Sequence, residues 1–168
     1  VYLGFDVVGH SAVTGRMHVV RAENVMKAYH DLVAGRLAHL GPRTVSAIQA
    51  GGDSYILAFD SIEPAVETWK WLESEADRLS ISAGLQFRFY YHMHAGRELK
   101  APALEGDKKY SRVLNCLGHM MKDHKSAGRL VASHAAYRMM EDTLRARMKR
   151  DKTTEDGLQL YIEHRSDK

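Results

Sequence analysis

Two carboxylates in glycine-containing settings are the residues best placed to do chemistry. Asp6 comes near the end of the apolar, β-branched segment Val1–Val8, where a lone carboxylate is costly to desolvate. Asp53 closes Ala50-Gly51-Gly52-Asp53, a hairpin turn by composition, between the strand-like segments Thr44–Gln49 and Ser54–Asp60. A β-α-β-β order lays the first strand beside that hairpin, so the two acids would meet at one end of a sheet. Carboxylates that meet repel unless a cation sits between them, and Mg²⁺ or Mn²⁺ completed by substrate phosphates is the usual answer. Val7, whose backbone follows Asp6, belongs to the same metal-facing group. The turn Val7–Ser11, through Gly9, His10 and Ser11, offers N–H groups to a phosphate. Taken singly, Asp53 reads equally well as a turn residue and Asp6 as a capping residue. Their pairing is what favours a metal.

The elements that must position these residues follow from periodicity. Ala22–Leu40 carries Val25, Tyr29, Leu32, Val33, Leu37 and Leu40 at helical spacing and stops at Gly41-Pro42. Pro64 opens a second helix with Val66, Trp69, Leu72, Ala76 and Leu79 on its core face. Gln86–His94 alternates as a strand, with Phe87, Phe89, Tyr91 and Met93 on one side. A third helix is expected over about Tyr110–Lys125, then a strand Arg129–Ala132, a helix near His134–Lys149 and a last strand Leu158–Glu163. The fold class is α+β. A ferredoxin-like or palm β-α-β-β-α-β core, with an antiparallel-rich sheet and helices on one face, is extended by C-terminal helix and strand additions. No repeat or linker divides residues 1–168, which read as one domain.

Composition narrows the function classes. The net charge of +3 with a pI near 9.0 suits an anionic substrate and does not call for nucleic acid. No apolar run reaches the length of a membrane span, and a single cysteine, Cys116, excludes an intrachain disulfide framework. A cytoplasmic setting is therefore expected. The ten histidines are scattered, and His92 and His94 lack a third partner for a structural zinc site.

Five motifs in order resemble those of class III nucleotidyl cyclases. Phe5-Asp6-Val7-Val8-Gly9-His10-Ser11 is similar to the first metal motif, and Gly52-Asp53 with Tyr55–Phe59 to the second. His94-Ala95-Gly96 falls where the family has a His-x-Gly turn. Val113-Leu114-Asn115-Cys116-Leu117-Gly118-His119-Met120 resembles the family's Asn-bearing helix, and Ala127-Gly128-Arg129-Leu130-Val131-Ala132-Ser133 the strand after it. The resemblance implies a head-to-tail homodimer with its active sites at the interface. Asp6 and Asp53 would hold two Mg²⁺ or Mn²⁺ ions, and Asn115 of the partner subunit would orient the ribose. The 3′-hydroxyl of a nucleoside triphosphate would attack the α-phosphate, releasing pyrophosphate and a 3′,5′-cyclic nucleotide.

Three positions depart from the family pattern. Gln49 stands where a purine-reading Lys or Glu is expected, Lys108 where adenylate cyclases carry Asp, and His119 where a transition-state Arg belongs. His119 shares a helix face with Asn115 and either reaches a phosphate or merely packs. Arg97, Arg112 or the group Lys149, Arg150 and Lys152 could supply the missing charge. An amide at position 49 donates and accepts and so excludes no base, whereas Lys108 only donates, which suits a carbonyl such as uracil O2 or O4, or guanine O6, and not the adenine amino group. The size of the chain resembles the stand-alone bacterial pyrimidine cyclases of anti-phage signalling, whose substrates are UTP or CTP. Two other readings stay open. Ala50-Gly51-Gly52-Asp53-Ser54-Tyr55 also resembles the turn of diguanylate and palm-type oligonucleotide cyclases, and the altered positions would fit a binding domain without turnover.

Overall fold

Alternation along the first strand sets up both faces of the molecule. In the computed structural model, which describes residues 1–10, 14–15, 17–84, 86–97 and 112–164, β1 (Tyr2–Val7) points Leu3, Phe5 and Val7 into the main core. Tyr2, Gly4 and Asp6 point to the opposite face. Hydrogen-bonded neighbours of β1 are β3 (Ser54–Phe59) and β4 (Phe89–His94), both antiparallel to it. The edge beyond β3 is β2 (Val45–Gly51), joined to it by a two-residue turn whose Gly52 has a φ of 60°. Glycine adopts that conformation at no steric cost.

Helices α1 (Val19–Leu40) and α2 (Ile62–Ala83) cover one face of the sheet. Tyr29 and Val33 of the first, and Trp69 and Leu72 of the second, are buried against Phe5, Leu57, Phe89 and Tyr91. The two core helices thus share one face as expected, and the third helix, α3 (Arg112–Asp123), packs apart from them. It lies on the other side, where Val113 and Leu117 pack on Tyr2 and Ile56, and Met120 on Val131 and Leu160. Gly4 leaves room for it, since a Cβ there would come 2.5 Å from Met121 Sδ.

The C-terminal region departs from the single helix expected over His134–Lys149. Strand β5 (Leu130–Ser133) runs parallel to β4, and Ser133 Oγ caps the short α4 (His134–Met139) by accepting the Ala136 N–H. Met140 and Glu141 are extended, which ends that helix before the single turn α5 (Asp142–Arg145). Residues Met148–Thr153 then form β6, paired with β7 (Gln159–Glu163), which itself pairs with β5. Lys149, Arg150 and Lys152 thus occupy an exposed sheet edge rather than a helix end. Charges at an edge discourage strand-to-strand aggregation. The sheet order is β2-β3-β1-β4-β5-β7-β6. Among the described residues no helix is long and apolar enough to cross a membrane.

Candidate active site

The β1–β3 ladder brings the two acids together. Asp6 stands opposite Ser54, so the residue before Ser54 lies over the end of β1. The Val7 N–H donates to the Asp53 carbonyl over 3.1 Å, and Tyr29, buried under the turn, donates its hydroxyl to the same oxygen at 3.4 Å. The positions of both acids are therefore fixed by main-chain bonding from β1 and by a core tyrosine.

The electrostatics of the pair are unfavourable as it stands. Burial, the Asp53 charge and a hydrogen bond with Asp53 push the Asp6 carboxyl up to about 6, against the opposing effect of Lys125 and the Val7 N–H. Asp6 Oδ1 is buried without a hydrogen-bond partner. Asp53 is partly exposed, and His10 Nδ1 lies 3.6 Å from its Oδ2. Gly9, with a φ of 66°, makes the turn that carries His10 back to the acids. An orphaned carboxylate oxygen beside a second carboxylate suits a hard divalent cation, with substrate and water oxygens completing its shell. Among the described residues no group of three or more His, Cys, Asp or Glu side chains gathers to hold a metal alone. Two carboxylates by themselves would leave most of such a cation's coordination to other oxygen donors.

Gln49 is exposed on β2 opposite Ile56, and Ile56 is opposite Gly4, so Gln49 lies on the same sheet face as Asp6. A bulge between Ala47 and Gln49 sets this register. Among the described residues, the other candidates are not brought to the acids within one chain. Asn115 is exposed on α3, and His119 Nδ1 is held 2.8 Å from Asp156 in the β6–β7 turn. Arg97 is exposed beyond His94, at the end of β4 that faces Tyr2 rather than Asp6. Arg150 Nε donates to Gln159 Oε1 over 2.6 Å. Ser11 and Lys108 lie outside the described residues.

One cation near the acids was missed in the sequence. Lys125 follows α3, and its ammonium sits 5.6 Å from the centroid of the Tyr90 ring. Tyr90 is the residue opposite Asp6 on β4. The sequence carried no signal for it: the buried His92 that ties down the chain segment carrying Lys125 alternates onto the polar side of its strand.

No protein-family model and no curated protein sequence matches the chain. Solved structures do. A guanylate cyclase domain from Catenaria anguillulae, determined with GTP, is 13% identical with a TM-score of 0.71, over 98% of this chain and 96% of that one. A non-canonical dimeric guanylyl cyclase domain from Blastocladiella emersonii is 15% identical with a TM-score of 0.66, over 96% and 93%. An adenylate/guanylate cyclase/hydrolase from Silicibacter pomeroyi is 13% identical with a TM-score of 0.69, over 99% and 96%. From β1 to β7, the chain has the fold of adenylate and guanylate cyclase catalytic domains.

Proposed function

We propose that the protein is a metal-dependent nucleotidyl cyclase, acting as a homodimer on a nucleoside triphosphate. The observation that carries this reading is the pair Asp6 and Asp53, set side by side at one sheet end of a cyclase fold and electrostatically frustrated without a cation. Asp6, Asp53 and the Val7 backbone would hold Mg²⁺ or Mn²⁺. Bound there, such an ion supplies acidity to a ribose hydroxyl and takes up charge on phosphate oxygens.

The protein's own groups do the rest. The Gly9–His10 turn lies against Asp53, where it can bind phosphate oxygens. Gln49, on the Asp6 face, reads the base with one donor and one acceptor. Asn115 of the partner subunit orients the ribose, consistent with its exposure on α3. The 3′-oxygen bonds to the α-phosphorus as the bond to pyrophosphate breaks, and the hydroxyl proton passes to solvent. Held in line, the two reacting groups gain most of their rate from positioning and electrostatics. Gln49 and Lys108 together match neither purine-reading pair, which favours UTP or CTP.

The test is incubation with ATP, GTP, CTP and UTP in Mn²⁺, with products identified by mass spectrometry and Asp6→Asn and Asp53→Asn as controls. A 3′,5′-cyclic mononucleotide lost in both variants is expected. A dinucleotide would assign the protein to diguanylate-type chemistry, and no product from any triphosphate would overturn the enzymatic reading.

A further inference from the structure

The end of α3 is tied to the sheet by a buried histidine. His92, 0% exposed on β4, donates from Nε2 to the His124 carbonyl over 2.6 Å. His124 also closes the helix, its N–H donating to the Met120 carbonyl at 3.0 Å. The next residue is Lys125, whose direction is thereby set. Its ammonium lies over the Tyr90 ring, and the β1–β4 register places Tyr90 directly beside Asp6. Alternation puts both residues on the α3 face. An exposed ammonium is thus anchored one strand from the carboxylate pair, and its charge is felt at Asp6. His119 is paired with Asp156, and Arg97 lies at the far end of β4.

We propose that Lys125 is a phosphate-binding residue of its own subunit's site, contacting a terminal phosphate of the triphosphate that Asp6 and Asp53 help to hold. This rests on the cyclase reading. A cation–π contact at an exposed site is weak and exchanges readily. Contact of an ammonium with a phosphate oxygen is charge-assisted and stronger. Lysine is a compact charge on a flexible stem, so it can swing from the ring while His92 holds its backbone. The terminal phosphates become the leaving pyrophosphate, so a cation there would aid departure as well as binding.

Lys125 could instead act only by tempering the charge of Asp6, and the two roles differ in sign. Removing a cation beside two carboxylates strengthens divalent-cation binding, but it weakens polyphosphate binding. Calorimetry of the full chain with Mn²⁺ alone, and with inorganic tripolyphosphate in Mn²⁺, separates them. Lys125→Gln is expected to weaken tripolyphosphate binding by about tenfold or more. Lys125→Arg should restore it to within about threefold, and Mn²⁺ binding should be unchanged or tighter. Unchanged tripolyphosphate affinity in Lys125→Gln, with a wild type that makes cyclic product, overturns the assignment and leaves the cyclase reading standing. Loss that Lys125→Arg does not restore, with a lowered melting temperature, makes the residue structural and also overturns it. A wild type that neither binds tripolyphosphate nor makes cyclic product overturns both readings.

Discussion

Asp6 and Asp53 face one another because Asp6 is register-paired with Ser54 and the Val7 N–H holds the Asp53 carbonyl. Main-chain bonds, not attraction between the side chains, impose the contact. The side chains are accordingly in a strained electrostatic relationship, with the Asp6 carboxyl raised to about 6 by burial and by Asp53. A site built this way should be more stable when either charge is removed and less active for the same reason.

Asp53→Asn is therefore expected to lower turnover by at least about 100-fold while raising stability in EDTA at pH 7.5. The upward shift of Asp6 corresponds to a few kcal/mol. Discounted for an environment about half open to solvent, relief of the repulsion contributes roughly 1 kcal/mol. That is about 2–4 °C in melting temperature for a domain of this size. Mn²⁺ should raise the melting temperature of the wild type and hardly affect the variant. A variant that melts below the wild type in EDTA would contradict the repulsion account.

Acid stability should reveal two opposed titrations. Burial lowers the His92 pKa from 6.5 to about 4, so the unfolded chain takes up a proton there that the folded chain refuses. The stability from neutral His92 is full above pH 6.5 and is lost as pH falls toward 4. Asp6 runs the other way: its folded form keeps a proton up to about pH 6 and its unfolded form only to 3.8, so it contributes stability gained as pH falls through that window. In EDTA, Asp6→Asn should make melting temperature fall more steeply with acid. His92→Gln should flatten the same curve. Parallel curves for all three proteins would show that neither group titrates as described.

The acids were legible in the sequence because each lies in a local pattern, a strand end and a Gly-Gly turn, and element order alone brings those together. Lys125 was not. Its place depends on where α3 stops and on a bond from His92, which is distant in sequence. The alternation of Gln86–His94 assigned His92 to a polar face, but α3 covers that face and makes it a second core. Strand Met148–Thr153 was not legible for a related reason, its first two residues falling in the expected helix and the rest in no element: five of its six residues are polar, and only pairing with β7 makes them a strand. Pairing is a tertiary property that overrides local propensity.

Base choice should respond to Gln49. Exposed on the edge strand and facing the same side as Asp6, its amide can satisfy the O4 of uracil or the amino group of cytosine. Glu at this position accepts only, so Gln49→Glu should move the ratio of kcat/KM for CTP over UTP upward. Lys donates only, so Gln49→Lys should move it downward. An unmatched polar group costs about 1–3 kcal/mol, which predicts shifts of roughly five- to 100-fold. Unaltered ratios in both variants would mean that Gln49 does not touch the base.

Two inactive variants should restore each other if each site draws on two subunits. Asn115 is exposed on α3 and comes nowhere into the contacts of Asp6 and Asp53 within its own chain. A homodimer of Asp53→Asn lacks the carboxylate at both sites, and one of Asn115→Ala lacks the amide at both. In a mixed dimer, one site collects both lesions and the other is intact. Equal mixing makes about half of the dimers mixed, each with one working site, so the mixture should recover about a quarter of wild-type turnover. Recovery should vanish on dilution below the dimer dissociation constant, because the intact site exists only while two chains are joined. A mixture no more active than its parts, with mixed dimers demonstrated by mass spectrometry, would place Asn115 outside the site.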